Sequence, residues 1–128
     1  MTPRFPFARR IFLVAGVYGL VTLFPLYFLE ARLARDFPPP VSHPEQYYGF
    51  VGLALTWQLV FLVIAHDVAR YRLLMLPAVL EKLSFGVAAV ALFVLGRVAE
   101  PVALAGAIDL VFALLFALAY WASRPGEA

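Results

Sequence analysis

Three ionisable side chains stand where the surrounding sequence is apolar. Glu81 and Lys82 are adjacent within the stretch Leu73 to Gly96, and Asp109 lies within Val102 to Ala122. Two carboxylates beside one ammonium can form an ion pair, carry a proton, or hold an ion or polar head group. Ionised together, they leave one negative charge uncompensated, which singles out Glu81 as the group to take up a proton or bind something. At the centre of a membrane helix an unpaired Asp or Lys costs about 2.5–3.5 kcal/mol, so each needs a partner, water or a neutral form. An ionisable residue in such a place is by default a candidate functional site.

Depth places further residues at the same level. With a rise of about 1.5 Å per residue, Glu81 and Lys82 lie roughly 12 and 13.5 Å into the membrane from Leu73. Gln58 reaches roughly the same layer from the opposite side, and Asp109 lies roughly 6 Å from Lys82, a gap that a lysine stem spans. Tyr18 and Thr22 flank the layer, and Trp57 is expected to line the same cavity as Gln58. Asp109 sits on a stripe of small residues, Ala105, Ala113 and Ala117, with Gly106 beside it. Lys82 sits on another, formed by Ala78, Gly86 and Ala89. Small stripes are where membrane helices approach closely. The expectation is a Lys82–Asp109 ion pair between the third and fourth spans. Neighbours on a helix do not face each other, so Glu81 should turn toward Gln58 and Tyr18 instead of neutralising Lys82.

The elements that position these residues follow from composition. The chain has 128 residues, 64% hydrophobic and 14% charged, with a mean hydropathy of +0.89. Soluble domains are about a quarter charged, so this chain has too little polar surface to face water. The same numbers exclude a nucleic-acid-binding surface and a disordered tail. The absence of cysteine excludes a disulfide scaffold. About 20 apolar residues cross a bilayer, and four stretches qualify: about 11–29, 46–65, 73–96 and 102–122. Short connections predict an all-α, integral-membrane, antiparallel up-and-down bundle of four transmembrane helices, with residues 1–128 as a single membrane domain.

Boundary signals refine this picture. Ser42-His43-Pro44-Glu45 reads as a capping box with Ser42 as N-cap, and Phe37-Pro38-Pro39-Pro40 as a stiff, extended connector. Pro101 opens the last span, while Pro25 and Pro77 each remove a helical hydrogen bond. Arg4, Arg9, Arg10, Arg70, Arg72 and Arg124 fall on one side and Arg32, Arg35 and Arg97 on the other. The positive-inside rule then makes both termini cytoplasmic, with Tyr120 and Trp121 in one aromatic belt and Tyr47 and Tyr48 in the other. The first span is too long for a signal core and lacks a small-x-small site, so it is expected to remain uncleaved. Nine arginines against one lysine point to a GC-rich bacterial source and hence to the bacterial inner membrane.

Other polar residues have plainer roles. His43, Glu45 and Asp36 match no metal-site spacing, so neither metal nor cofactor is expected. His66 complements a helix C-terminus. Gly49, Gly52 and Thr56 read as a packing face. No nucleophile elbow, phosphate loop or Cys-x-x-Cys is present.

A charged residue before Tyr48-Gly49 and Gly52, the arginines Arg70 and Arg72 ahead of the third span, and the single acid Asp109 in the fourth give the chain a pattern that resembles the DoxX-like group of small four-helix bacterial membrane proteins. The Glu81-Lys82 pair and the triple proline depart from that pattern. The resemblance implies a four-span fold and no particular activity. Two functions compete. One is a non-enzymatic binding or assembly protein, joined to another membrane subunit or to a copy of itself, with its polar layer as glue. The other is a carrier or membrane-embedded catalyst for a small lipophilic molecule or a proton, with Glu81 as the titrating group.

Overall fold

Proline sets most of the helix boundaries. The structure, a computed structural model, describes residues 4–126. It contains α1 (Pro6–Leu23), α2 (Glu30–Asp36), α3 (Pro44–His66), α4 (Met75–Val94) and α5 (Glu100–Ala122), with no strand among the described residues. Proline stands in the first turn of α1, α3 and α5, where its missing N–H has no helical partner to lose. Pro25 cannot donate to the turn before it, and the α-helix gives way there to a 3₁₀ segment, Phe24–Phe28. A second 3₁₀ turn, Arg72–Leu74, leads into α4. Gly96 ends α4 at φ 73°. The N–H groups of Arg97 and Gly96 return to the carbonyls of Leu92 and Phe93, the pairing of a Schellman cap.

Four segments are long and apolar enough to cross a membrane: Pro6–Phe28, Pro44–His66, Arg72–Val94 and Glu100–Ala122. This is the signature of a multi-pass membrane protein. The first begins five residues before the expected Ile11, because Pro6 starts a helix that runs through Arg9 and Arg10. Two further expectations need correction. Ser42 does not cap α3; His43 holds the N-cap position without a side-chain cap bond. Its ring instead meets Glu45 at 3.2 Å, which removes Glu45 from the capping box. The second concerns the connector between the first two spans: residues 37–40 are non-helical as expected, but the seven residues before them form α2, where no helix was expected.

The helices pack as two pairs, α1 with α3 and α4 with α5, joined mainly where α1 meets α5; α3 and α4 barely touch. Glycine permits both close pairings. Between α4 and α5, a Cβ at Gly106 would stand 2.6 Å from the Ala89 Cβ; between α1 and α3, one at Gly16 would stand 2.7 Å from Leu62. The core lies toward the end of the bundle where α1 begins and α5 ends. There Phe12 stacks on Phe116 at 4.1 Å between ring centroids, and Phe61 sits edge-on to both. Ile64, Met75 and Ala78 close the cluster. Each aromatic pair contributes about 0.5–1.5 kcal/mol beyond the area it buries. Arg72 fastens this end: its guanidinium donates to the Tyr120 carbonyl at 2.7 Å and lies 3.7 Å over the Tyr120 ring.

At the other end two tyrosines of the first turn of α3 hold the corner between α1 and α2. The Tyr47 hydroxyl donates to the Leu26 carbonyl at 2.6 Å, and the Tyr48 hydroxyl to Glu30 at 2.8 Å. Tyr47 thereby satisfies a carbonyl in the segment where Pro25 ends the regular ladder.

Candidate functional site

Where α3 and α4 make few contacts, the helices surround a partly open cavity of about 740 Å³, within the usual range for small-molecule sites. Its walls come from α1, α3, α4 and α5, and α2 with Pro38 and Pro39 forms its rim. The polar layer is its floor.

Lys82 is the centre of that floor. Its side chain is 4% exposed, against 16% for Glu81 and 15% for Asp109. Lys82 Nζ lies 3.4 Å from Asp109 Oδ1, the interhelical pair expected from the two small stripes. It also lies 3.9 Å from Glu81 Oε2. Sequence neighbours on a helix were not expected to meet, but the long lysine stem lets the ammonium reach back to an adjacent carboxylate. The ammonium stands 5.2 and 5.5 Å from the Phe61 and Phe112 ring centres, so aromatic faces support it from the packed end.

Gln58 completes the floor from α3. It is buried, and its amide nitrogen donates to the Ala54 carbonyl at 2.7 Å, one turn back on its own helix. Its Oε1 is buried and accepts no hydrogen bond, as is Glu81 Oε2. The expected turn of Glu81 toward Gln58 therefore brings two acceptors into one cavity and no bond between them. Gln58 owes its position to Gly19, since a Cβ there would overlap the amide. Tyr18 lines the same cavity and tilts against Phe112 at 5.6 Å. The Thr22 hydroxyl, which also lines it, is spent on the Tyr18 carbonyl at 2.9 Å.

Contrary to expectation, Trp57 does not line this cavity with Gln58. It lines a shallower groove of about 500 Å³ between α3 and α4, with Gly49, Leu53 and Ser84. One residue on from Gln58, it is rotated by about 100° around α3 and so looks out between the helices. Gly49, expected to pack against a helix, meets nothing within 4 Å of a Cβ built on it and leaves this groove open. Phe50 and Phe85, 5.9 Å apart and nearly parallel, line both spaces, and Glu81 borders both as well.

Sequence reasoning missed the rim. Leu33, Ala34 and Phe37 line the cavity mouth. Leu29, Leu33 and Phe37 recur at intervals of four, with Arg32, Arg35 and Asp36 on the other side, so an amphipathic turn was legible there. Among the described residues, no group of three or more His, Cys, Asp or Glu side chains is placed to hold a metal ion. The arrangement thus offers an apolar chamber with a polar, acceptor-rich floor, suited to holding a molecule that is greasy along its body and polar at one end. Comparison with known protein families, with curated proteins and with solved structures finds no match for this chain.

Proposed function

We propose that the protein is a non-enzymatic binding protein of the bacterial cytoplasmic membrane that holds a small lipophilic molecule with its polar head on the Gln58, Glu81, Lys82 and Asp109 floor. In this reading the four spans alternate in direction, both termini face the cytoplasm by the arginine bias, and the cavity opens outward. The observation that carries the proposal is the position of the polar layer at the bottom of an apolar cavity of about 740 Å³. Glue between helices accounts for the Lys82–Asp109 contact. It does not account for Gln58 Oε1, which accepts no hydrogen bond, or for Glu81 Oε2, which has no hydrogen bond beside its 3.9 Å ion-pair contact with Lys82. A buried acceptor without a donor costs about 1–3 kcal/mol, and a ligand that offers donors removes that cost.

The test is thermal unfolding of the purified protein in lipid nanodiscs against a panel of amphiphiles, with Ala105→Phe as the blocked control. Ala105 lines the cavity, and a phenyl ring there occupies ligand space. A binder present at a hundred times its Kd stabilises the fold by about 2.7 kcal/mol. At least one amphiphile should stabilise the wild type and leave Ala105→Phe unmoved. Equal stabilisation of both proteins, or of neither, refutes the proposal.

A further inference from the structure

The floor is unbalanced in both donors and charge, and this narrows the head group. Its side chains set five carboxylate and amide oxygens, two from Glu81, two from Asp109 and one from Gln58, against the Lys82 ammonium and the Tyr18 hydroxyl as free donors. Lys82 Nζ reaches one of them within hydrogen-bond distance, Asp109 Oδ1 at 3.4 Å. The Gln58 amide nitrogen is already committed to Ala54. Gln58 Oε1, in a residue only 1% exposed and lying against Gly19, accepts no hydrogen bond, and Glu81 Oε2 has only its 3.9 Å ion-pair contact with Lys82. With its three ionisable groups charged, the floor carries one net negative charge. A hydroxyl head would supply a donor and leave the charge. An acid head would add to both deficits.

We infer that the head group received here is a protonated primary amine on an alkyl or aryl body, with Glu81 as its counter-charge and Gln58 Oε1 as a neutral acceptor; this rests on the binding function proposed above. Its three N–H donors and single positive charge complete the floor. A primary ammonium is also slim enough to share the site with Lys82. The walls suit such a molecule, because Tyr18, Phe50 and Phe85 line the chamber and aromatic faces attract a cation passing over them. Arg97 at the mouth is exposed, where water and salt screen its repulsion within about 10 Å.

Titration of the full chain in zwitterionic nanodiscs with decylamine, decanol, decanoate and decyltrimethylammonium tests this, with empty nanodiscs as the blank for partitioning. Decylamine should bind saturably and at least tenfold tighter than decanol. Decanoate should be the weakest, and decyltrimethylammonium, which has the charge without N–H donors, at least fivefold weaker than decylamine. Glu81→Gln should bring decylamine to within threefold of decanol measured on the same variant. The ligand series on the wild type decides the matter even if that variant misfolds. Equal affinity for amine and alcohol, or for primary and quaternary amine, overturns the assignment. Tightest binding of decanoate also overturns it and makes Lys82 the docking group. In those cases a blocked Ala105→Phe shows that the cavity still binds. No saturable binding of any of the four overturns the amine and counts against the binding function as well.

Discussion

The two ends of this bundle are built from the same four helices and differ in almost everything else. Where α1 begins and α5 ends, Phe12, Phe61 and Phe116 interlock and Ile64, Met75 and Ala78 fill the remaining space. Toward α2 the same helices surround about 740 Å³ of open volume. Lys82 lies at the junction, against Phe61 and Phe112 on one side and the cavity on the other. Lipid is as apolar as leucine, so a membrane bundle gains little from hydrophobic transfer and is held by packing and polar contacts. A bundle this small keeps a cavity at one end because the other is packed without one. The tight seam of α4 and α5 around Gly86, Ala89 and Gly106 lets α3 stand away from α4 without the bundle opening.

That contrast orders the effects of substitution. Removing the shared cation should cost most: Lys82→Met leaves Asp109 and Glu81 buried without a counter-charge, and breaking a buried pair costs about 3–5 kcal/mol. Thermal or denaturant unfolding in detergent reads this loss, and Lys82→Met combined with Asp109→Leu should recover a large part of it. Additive effects in that double-mutant cycle would show that the two helices are not coupled through this pair.

In the packed end, Phe116→Ala removes the ring that contacts Phe12 and Phe61. The cost should be about 3 kcal/mol, the lower end for such truncations, since lipid replaces water as the solvent of the unpacked state. An effect below 1 kcal/mol would mean that this end is as loosely filled as the other.

The smallest effect belongs to the open side. Gly49→Ala adds a methyl group where nothing lies within 4 Å, and should raise stability by about 0.5 kcal/mol through helix propensity. A loss of stability there would reveal a contact that the open groove does not have.

Much of the candidate site was legible in the primary structure because membranes make polarity conspicuous. Glu81, Lys82, Asp109 and Gln58 stand out from their apolar surroundings, and the four-residue recurrence of small side chains predicted which helices Lys82 and Asp109 would join. Other features were hidden for definite reasons. Whether adjacent residues meet depends on side-chain reach, and the lysine stem brought Lys82 to Glu81 against the expectation from helical spacing. The role of α2 was masked by its short length and by the prolines that follow it. Ser42 and Glu45 had the spacing of a capping box, yet the backbone began its helix one residue later and His43 took up Glu45.

By itself, the sequence determined that this protein has four helices long and apolar enough to cross a membrane and which ionisable residues lie inside them, because both depend only on length and local polarity. Only the tertiary structure decided where those residues meet empty space. Space within a bundle arises from the angle between helices. That angle depends on side chains far apart in the chain: the glycines that draw α4 to α5, the three phenylalanines that lock one end, and the tyrosines that fold α2 over the other.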